Sequence, residues 1–153
     1  MGRISASVAL PYPPDLVFRV ATRIEDLPRW MPEVVSAELL DPPLALGSRV
    51  RLRLSAAAAG YLVTVTVREL VPGARLVMKG SGGPLGVAVG VALHEAPPKG
   101  AGADGTGTEA TVELDLETPP FLGFLAREAE ERLSAGLPGA LDRLRVLIEA
   151  EPA

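Results

Sequence analysis

Two rhythms divide the chain. Near the start, Ile4, Ala6, Val8 and Leu10 alternate with Arg3, Ser5, Ser7 and Ala9, the period-two pattern of a strand with one covered face. Pro11, Pro13 and Pro14 stop it. Asp15 then opens a short helix whose apolar face is Val17, Phe18, Val20 and Ala21, and a second short helical piece, Glu25 to Trp30, closes at Pro32. From there to Glu117 the alternation returns. Val34–Leu40 is predicted as a strand ended by Asp41-Pro42-Pro43. Ser48–Leu54 puts Val50, Leu52 and Leu54 on one face and Arg49, Arg51 and Arg53 on the other. Tyr61, Val63, Val65 and Val67 oppose Thr64, Thr66 and Arg68. Pro72-Gly73 turns into Arg75–Gly80, where Leu76 and Met78 point inward. Ser81-Gly82-Gly83-Pro84 turns again into Val87, Val89, Val91 and Leu93. After a Gly/Pro/Ala-rich loop from Ala96 to Gly107, Val112, Leu114 and Leu116 form the last row.

Between Thr118 and Glu151 the spacing changes. Leu122, Leu125, Ala129, Leu133, Leu137, Leu141, Leu144 and Ile148 recur every three or four residues, which is one face of an α-helix. Thr118 is the expected cap, and Glu128 and Arg132 form a favourable i,i+4 pair. Pro138 removes the bond to the Ser134 carbonyl. The stripe nevertheless keeps its phase across it, predicting one helix of about 30 residues, about 45 Å long, kinked near Gly136–Pro138. The competing reading is a break at Ser134–Leu137 with a new helix opening at Pro138.

The order is therefore strand, two short helices, six strands and a long helix. Hairpin-length connections make the sheet antiparallel, and one apolar face per strand means that it is covered on one side. The expected fold is α+β, one domain over residues 1–153, with a curved antiparallel sheet of about seven strands wrapped on the C-terminal helix. A cavity between sheet and helix is expected, because the short helices cannot fill the whole span.

Composition narrows the chemistry. The 153 residues hold no cysteine and one histidine, His94, which removes disulfides, thiol catalysis and thiolate or His-rich metal sites. The net charge of −4 offers no footprint for nucleic acid. No apolar run reaches the length of a membrane span and the first residues lack a signal-peptide core, so a cytoplasmic protein without integral membrane association is expected. No metal, cofactor or catalytic residue is assigned.

The run Ser7-Val8-Ala9-Leu10-Pro11-Tyr12-Pro13-Pro14-Asp15-Leu16-Val17-Phe18, followed by Leu27-Pro28-Arg29-Trp30-Met31-Pro32, resembles the opening of the START-like (SRPBCC, helix-grip) superfamily. Within it the chain is most similar to the polyketide cyclase/dehydrase and lipid-transport family, departing from that pattern at Tyr12 and Arg23. The resemblance implies a helix-grip fold and a hydrophobic small-molecule partner such as a lipid, isoprenoid or polyketide-like compound. The residues expected to line its site are Phe18, Trp30, Tyr61, Val63, Val65, Met78, Val89, Leu114, Leu125 and Leu133. Its mouth is expected where Ala56–Gly60, Ser81–Gly86 and Thr118–Pro120 share one end of the sheet. Two alternatives stand beside binding. One is an aromatic polyketide cyclase or dehydratase using Tyr61, Glu69 and Trp30; the other is an interaction module with a filled core.

Four features have plainer readings. Glu69 shares parity with Val67 and Val71, but the adjacent Pro72-Gly73 turn favours a solvent-facing carboxylate. His94 falls opposite the valine row, on the outer face near Glu113 or Asp115. The Arg49/Arg51/Arg53 stripe reads as a solvated outer face. Ser81–Gly86 matches a phosphate loop only in its glycines.

Overall fold

The computed structural model describes residues 2–55, 60–96 and 107–151, and for residues 2, 96, 125, 126 and 129 the backbone alone. The Ala96–Gly107 loop and most of the Ala56–Gly60 segment therefore lie outside the described residues. Strand β1 (Gly2–Leu10) leads to α1 (Pro14–Ala21), a 3-10 turn (Ile24–Asp26) and α2 (Leu27–Trp30). Six strands follow: β2 (Val34–Leu39), β3 (Arg49–Leu54), β4 (Leu62–Val71), β5 (Arg75–Gly82), β6 (Leu85–Ala96) and β7 (Gly107–Glu117). A 3-10 turn (Pro120–Leu122) then opens α3 (Gly123–Glu149).

All seven strands form one antiparallel sheet in the order β1-β7-β6-β5-β4-β3-β2. The order follows from the hairpins, each strand lying beside its chain neighbour, except that β1 pairs with β7, Gly2 opposite Leu116. The inward rows are buried as the alternation requires: Val50 and Leu52, Val63, Val65 and Val67, Leu76 and Met78, Leu85 to Leu93, and Ala110 to Leu116. Leu54 is only half-buried, at the strand end.

As the sheet curls, the end of β5 comes close against the backbone of β4. The inward row of β5 runs Leu76, Met78, Gly80, Gly82, so its last two positions carry no side chain. A Cβ on Gly80 would stand 1.9 Å from the Thr64 carbonyl oxygen, and one on Gly82 2.1 Å from that of Leu62. Only glycine admits this approach, and glycine on the concave side is how a strand turns a barrel corner. Parity is also broken in β4. A register shift between Val67 and Glu69 turns Glu69 outward, where it pairs with Arg75 at 3.3 Å.

Helix α3 runs unbroken through Pro138, so one helix, not two, crosses the Ser134–Leu137 segment. Gly136 serves packing there: a Cβ on it would meet Pro32 Cβ at 3.4 Å, so the bare backbone lets α3 seat against the segment after α2. Leu137, Ala140, Leu141, Leu144 and Ile148 are buried, and Arg143 donates from Nη2 to the Trp30 carbonyl at 3.1 Å. Thr118 is not the cap expected of it. The α-helix starts five residues later with Leu122 at the capping position, and the Thr118 hydroxyl donates to the Leu122 carbonyl at 3.3 Å. Pro119 and Pro120 explain the delay, since they fit an extended segment and a 3-10 turn before regular bonding begins.

The outer face is polar as read. Arg49 bonds Asp41 through Nε at 2.8 Å, Arg51 approaches Glu38 at 3.7 Å, and His94 is exposed. Its strand partner is Glu109, not Glu113 or Asp115, because β6 and β7 pair further along the ladder than expected.

Candidate functional site

The end of β3, the start of β4, the β5–β6 turn and the β7–α3 junction lie at one end of the sheet, as the registers Arg53 to Leu62, Gly82 to Leu85 and Glu117 to Gly86 require. At this pole Gly83 adopts φ +57°, and its backbone lies under the Tyr61 ring, whose Cε1 would be 3.0 Å from an added Cβ. Tyr61 is thereby half-buried beside the turn.

The inner wall is uneven in its access. On β3, β4 and β5 the inward side chains are sealed: Val50, Val63 and Val65 are 0% exposed and Met78 1%. Trp30 is also 0% exposed, packed among α2, α3 and the sheet, with its indole Nε1 unpartnered. On β6 and β7 the picture differs. Leu85, Val87, Val89, Leu114 and Leu116, with Leu133 of α3, keep 5–8% of their surface open. Ile4, Ala6 and Val8 of β1 continue this strip as half-buried neighbours.

Of the residues expected to line a site, Val89, Leu114 and Leu133 thus fall on the accessible strip. Tyr61 sits at its pole, and Phe18 is half-buried on α1 at the far end. Trp30, Val63, Val65 and Met78 belong to the sealed core, and the Leu125 side chain lies outside the described residues. Leu85, Val87 and Leu116 share the strip with them. They occupied the same inward rows in the sequence; what singles them out is the position of α3, which alternation does not report.

Tyr61, Glu69 and Trp30 do not converge. Glu69 is on the outer face, eight residues and about 26 Å along β4 from Tyr61, and Trp30 is enclosed. A different carboxylate lies nearer the pole. Glu33 adopts φ +63°, a left-handed conformation that costs a non-glycine residue about 1 kcal/mol or more. It is held there by Ser55, whose N–H donates to the Glu33 carbonyl at 2.9 Å and whose hydroxyl donates to the Glu33 carboxylate. Nothing in the sequence marked this residue, because the strain arises from the join of α2 to β2.

The opposite pole is built from ion pairs. The Arg23 guanidinium grips the Glu151 carboxylate through both nitrogens and holds it below the usual carboxylate range. Arg49, through hydrogen bonds from side chain and backbone, does the same to Asp41. Burial raises the Tyr12 phenol, and neighbouring Glu149 raises it further. Among the described residues the only buried polar side chains apart from the Trp30 indole are Ser48 and Thr108, both tied to backbone carbonyls. No His/Cys/Asp/Glu group able to hold a metal, and no helix long and apolar enough to cross a membrane, occurs among the described residues.

No curated protein matches the chain. Solved structures match across nearly its whole length. A protein of Thermus thermophilus is 20% identical at a TM-score of 0.75, covering 99% of this chain and 100% of its own. The Zhui aromatase/cyclase from Streptomyces sp. R1128 is 16% identical at 0.65, covering 96% and 90%. A START superfamily protein from Mycobacterium smegmatis is 19% identical at 0.59, covering 93% and 98%. These likenesses establish the fold. The profile of one family matches residues 1–149, and on that match the chain belongs to the polyketide cyclase/dehydrase and lipid transport family.

Proposed function

We propose that the chain binds a hydrophobic small molecule, such as a lipid, isoprenoid or polyketide-like compound, between β6, β7 and the first half of α3. One observation carries this reading. Six aliphatic side chains of β6, β7 and α3 (Leu85, Val87, Val89, Leu114, Leu116, Leu133) keep 5–8% of their surface open, against 0–3% for Val50, Leu52, Val63, Val65, Val67, Leu76 and Met78 on β3, β4 and β5. Such a wall selects by apolar contact and supplies no hydrogen bond to orient a polar ligand. Family membership supports the same class of partner.

Native mass spectrometry of the purified chain is expected to show a retained apolar compound. An apolar fluorescent probe should bind and be displaced by fatty acids or aromatic polycycles. Val89→Asp places an unpaired charge on the strip and should abolish probe binding in a folded protein. Unchanged affinity in that variant would sink the assignment of the strip.

A further inference from the structure

A cleft of about 480 Å³ lies between the edge strand β1 and the first half of α3, lined by Ile4, Arg127, Glu130, Glu131, Ser134 and Ala135. Its two walls differ in kind. Ile4, on the inward row of β1, supplies an apolar one. Opposite it, Arg127, Glu130, Glu131 and Ser134 stand at helical spacing and so share one face of α3.

The cleft is contiguous with the aliphatic strip. Ile4 pairs with Leu114, Leu114 with Val89, and Val89 with Met78, one row across four strands. Cover thins along this row toward the edge. Met78 is 1% exposed, Val89 6% and Leu114 5%, and Ile4 is only half-buried. In the next inward row Val112, the partner of Ala6, is 0% exposed, so the opening ends there. On the helix, Leu133 of the strip directly precedes Ser134 and lies one turn beyond Glu130. An apolar surface thus passes into a polar opening within one step of the ladder.

That opening carries two carboxylates against one guanidinium. Among the described residues none of the three forms an ion pair, whereas Arg23, Arg49 and Arg75 all do. Arg127 can neutralise Glu130 at i,i+3 or Glu131 at i,i+4, but not both. A negative charge is left for a ligand to meet.

We propose that the ligand is a single-chain amphiphile with an ammonium headgroup. Its alkyl chain lies on Ile4, Leu114, Val89 and Leu133, and its head sits in the cleft beside Glu130 and Glu131. This rests on the ligand-binding reading above and adds what the strip lacks, a group that orients a polar end. A carboxylate or phosphate head would enter a net negative opening on a chain of net charge −4. A wholly apolar ligand would gain nothing from the cleft.

The test is displacement of phenylnaphthylamine, an uncharged apolar dye, by decylamine, decanol and decanoate below their aggregation limits. At about pH 8 the amine is protonated and the acid ionised, so the three share a chain and differ only in the charge of the head. An exposed ion pair contributes up to about fivefold in affinity, so decylamine should bind about threefold to fivefold tighter than decanol, and decanoate weaker than decanol. Added salt should narrow the gap. Glu130→Gln/Glu131→Gln should bring decylamine level with decanol while the thermal midpoint holds. Ser134→Lys, which puts a second cation in the cleft, should turn the order toward decanoate. Equal binding of the three compounds, tightest binding of decanoate by the parent chain, or an order unchanged in both variants would each overturn the headgroup assignment and leave the ligand reading standing. A dye that does not bind, or that none of the three displaces, would refute both.

Discussion

Replacing Gly80 by alanine tests the close approach of β5 to β4 in this curled sheet. The added methyl would stand 1.9 Å from the Thr64 carbonyl oxygen and 2.6 Å from the Val65 Cα, where ordinary contact needs about 3.4 Å or more. Both obstacles are backbone, so no rotamer relieves them and β4 and β5 must separate by about 1 Å. Overpacking of this kind costs about 1–3 kcal/mol, and the upper half of that range applies because the displaced atoms belong to a hydrogen-bonded ladder. Gly90 on the adjacent strand is the control. A Cβ there finds only the Glu113 Cβ at 3.9 Å, an ordinary contact, so Gly90→Ala should be neutral or stabilise by about 0.5–1 kcal/mol through the unfolded chain. Urea unfolding followed by far-UV circular dichroism separates the two. With a slope of about 2 kcal/mol per molar, Gly80→Ala should lower the midpoint by about 1 M and Gly90→Ala should leave it in place or raise it. Equal midpoints for Gly80→Ala and the parent protein would refute the close approach.

Three further outcomes are expected. Trp30, being fully enclosed, should resist acrylamide quenching relative to free indole, and Trp30→Ala should cost about 3–5 kcal/mol in chemical denaturation. Glu151 and Asp41 have folded pKa values below their unfolded ones. Their stabilisation is therefore complete above the unfolded carboxylate range and lost as pH falls through the folded values. A denaturation series taken downward from about pH 5 should show this loss, reduced in Glu151→Gln. Pro138→Ala should restore the missing N–H to the Ser134 carbonyl and raise stability by about 1–3 kcal/mol, an interior proline costing about 3; a lower thermal midpoint would mean that the proline geometry is needed against the sheet.

Which parts of this were legible in sequence depends on the range of the causing interaction. Strand faces were readable because the pleat forces alternation, and the long helix because its apolar stripe held phase through Pro138. The outward turn of Glu69 was foreshadowed only by the neighbouring Pro72-Gly73, and its mechanism, the register shift after Val67, is visible only in the pairing with β5. Alternation made Val63, Val65, Met78, Val87 and Val89 equivalent. They differ in the fold because a closed core and an accessible strip are set by where α3 and α2 settle, a relation between elements far apart in the chain. The strain at Glu33 and the bare inner row at Gly80 and Gly82 are likewise products of tertiary approach.

The pairing of β1 with β7 fixes an order of assembly during synthesis. At about 5–20 residues per second, the first strand emerges several seconds before Leu116, the partner of Gly2, has been made. Until then its edge has no mate, and its alternating apolar face has no lid. Strands β2 to β6 can zip locally, each on its predecessor, but the sheet stays open along its β6 side. The helix that covers the concave face is made after every strand. Nascent chains of this topology thus hold a complete apolar surface uncovered for the time needed to translate α3. Chaperone binding is expected to concentrate in that interval, and slowing translation between residues 118 and 149 should lengthen it.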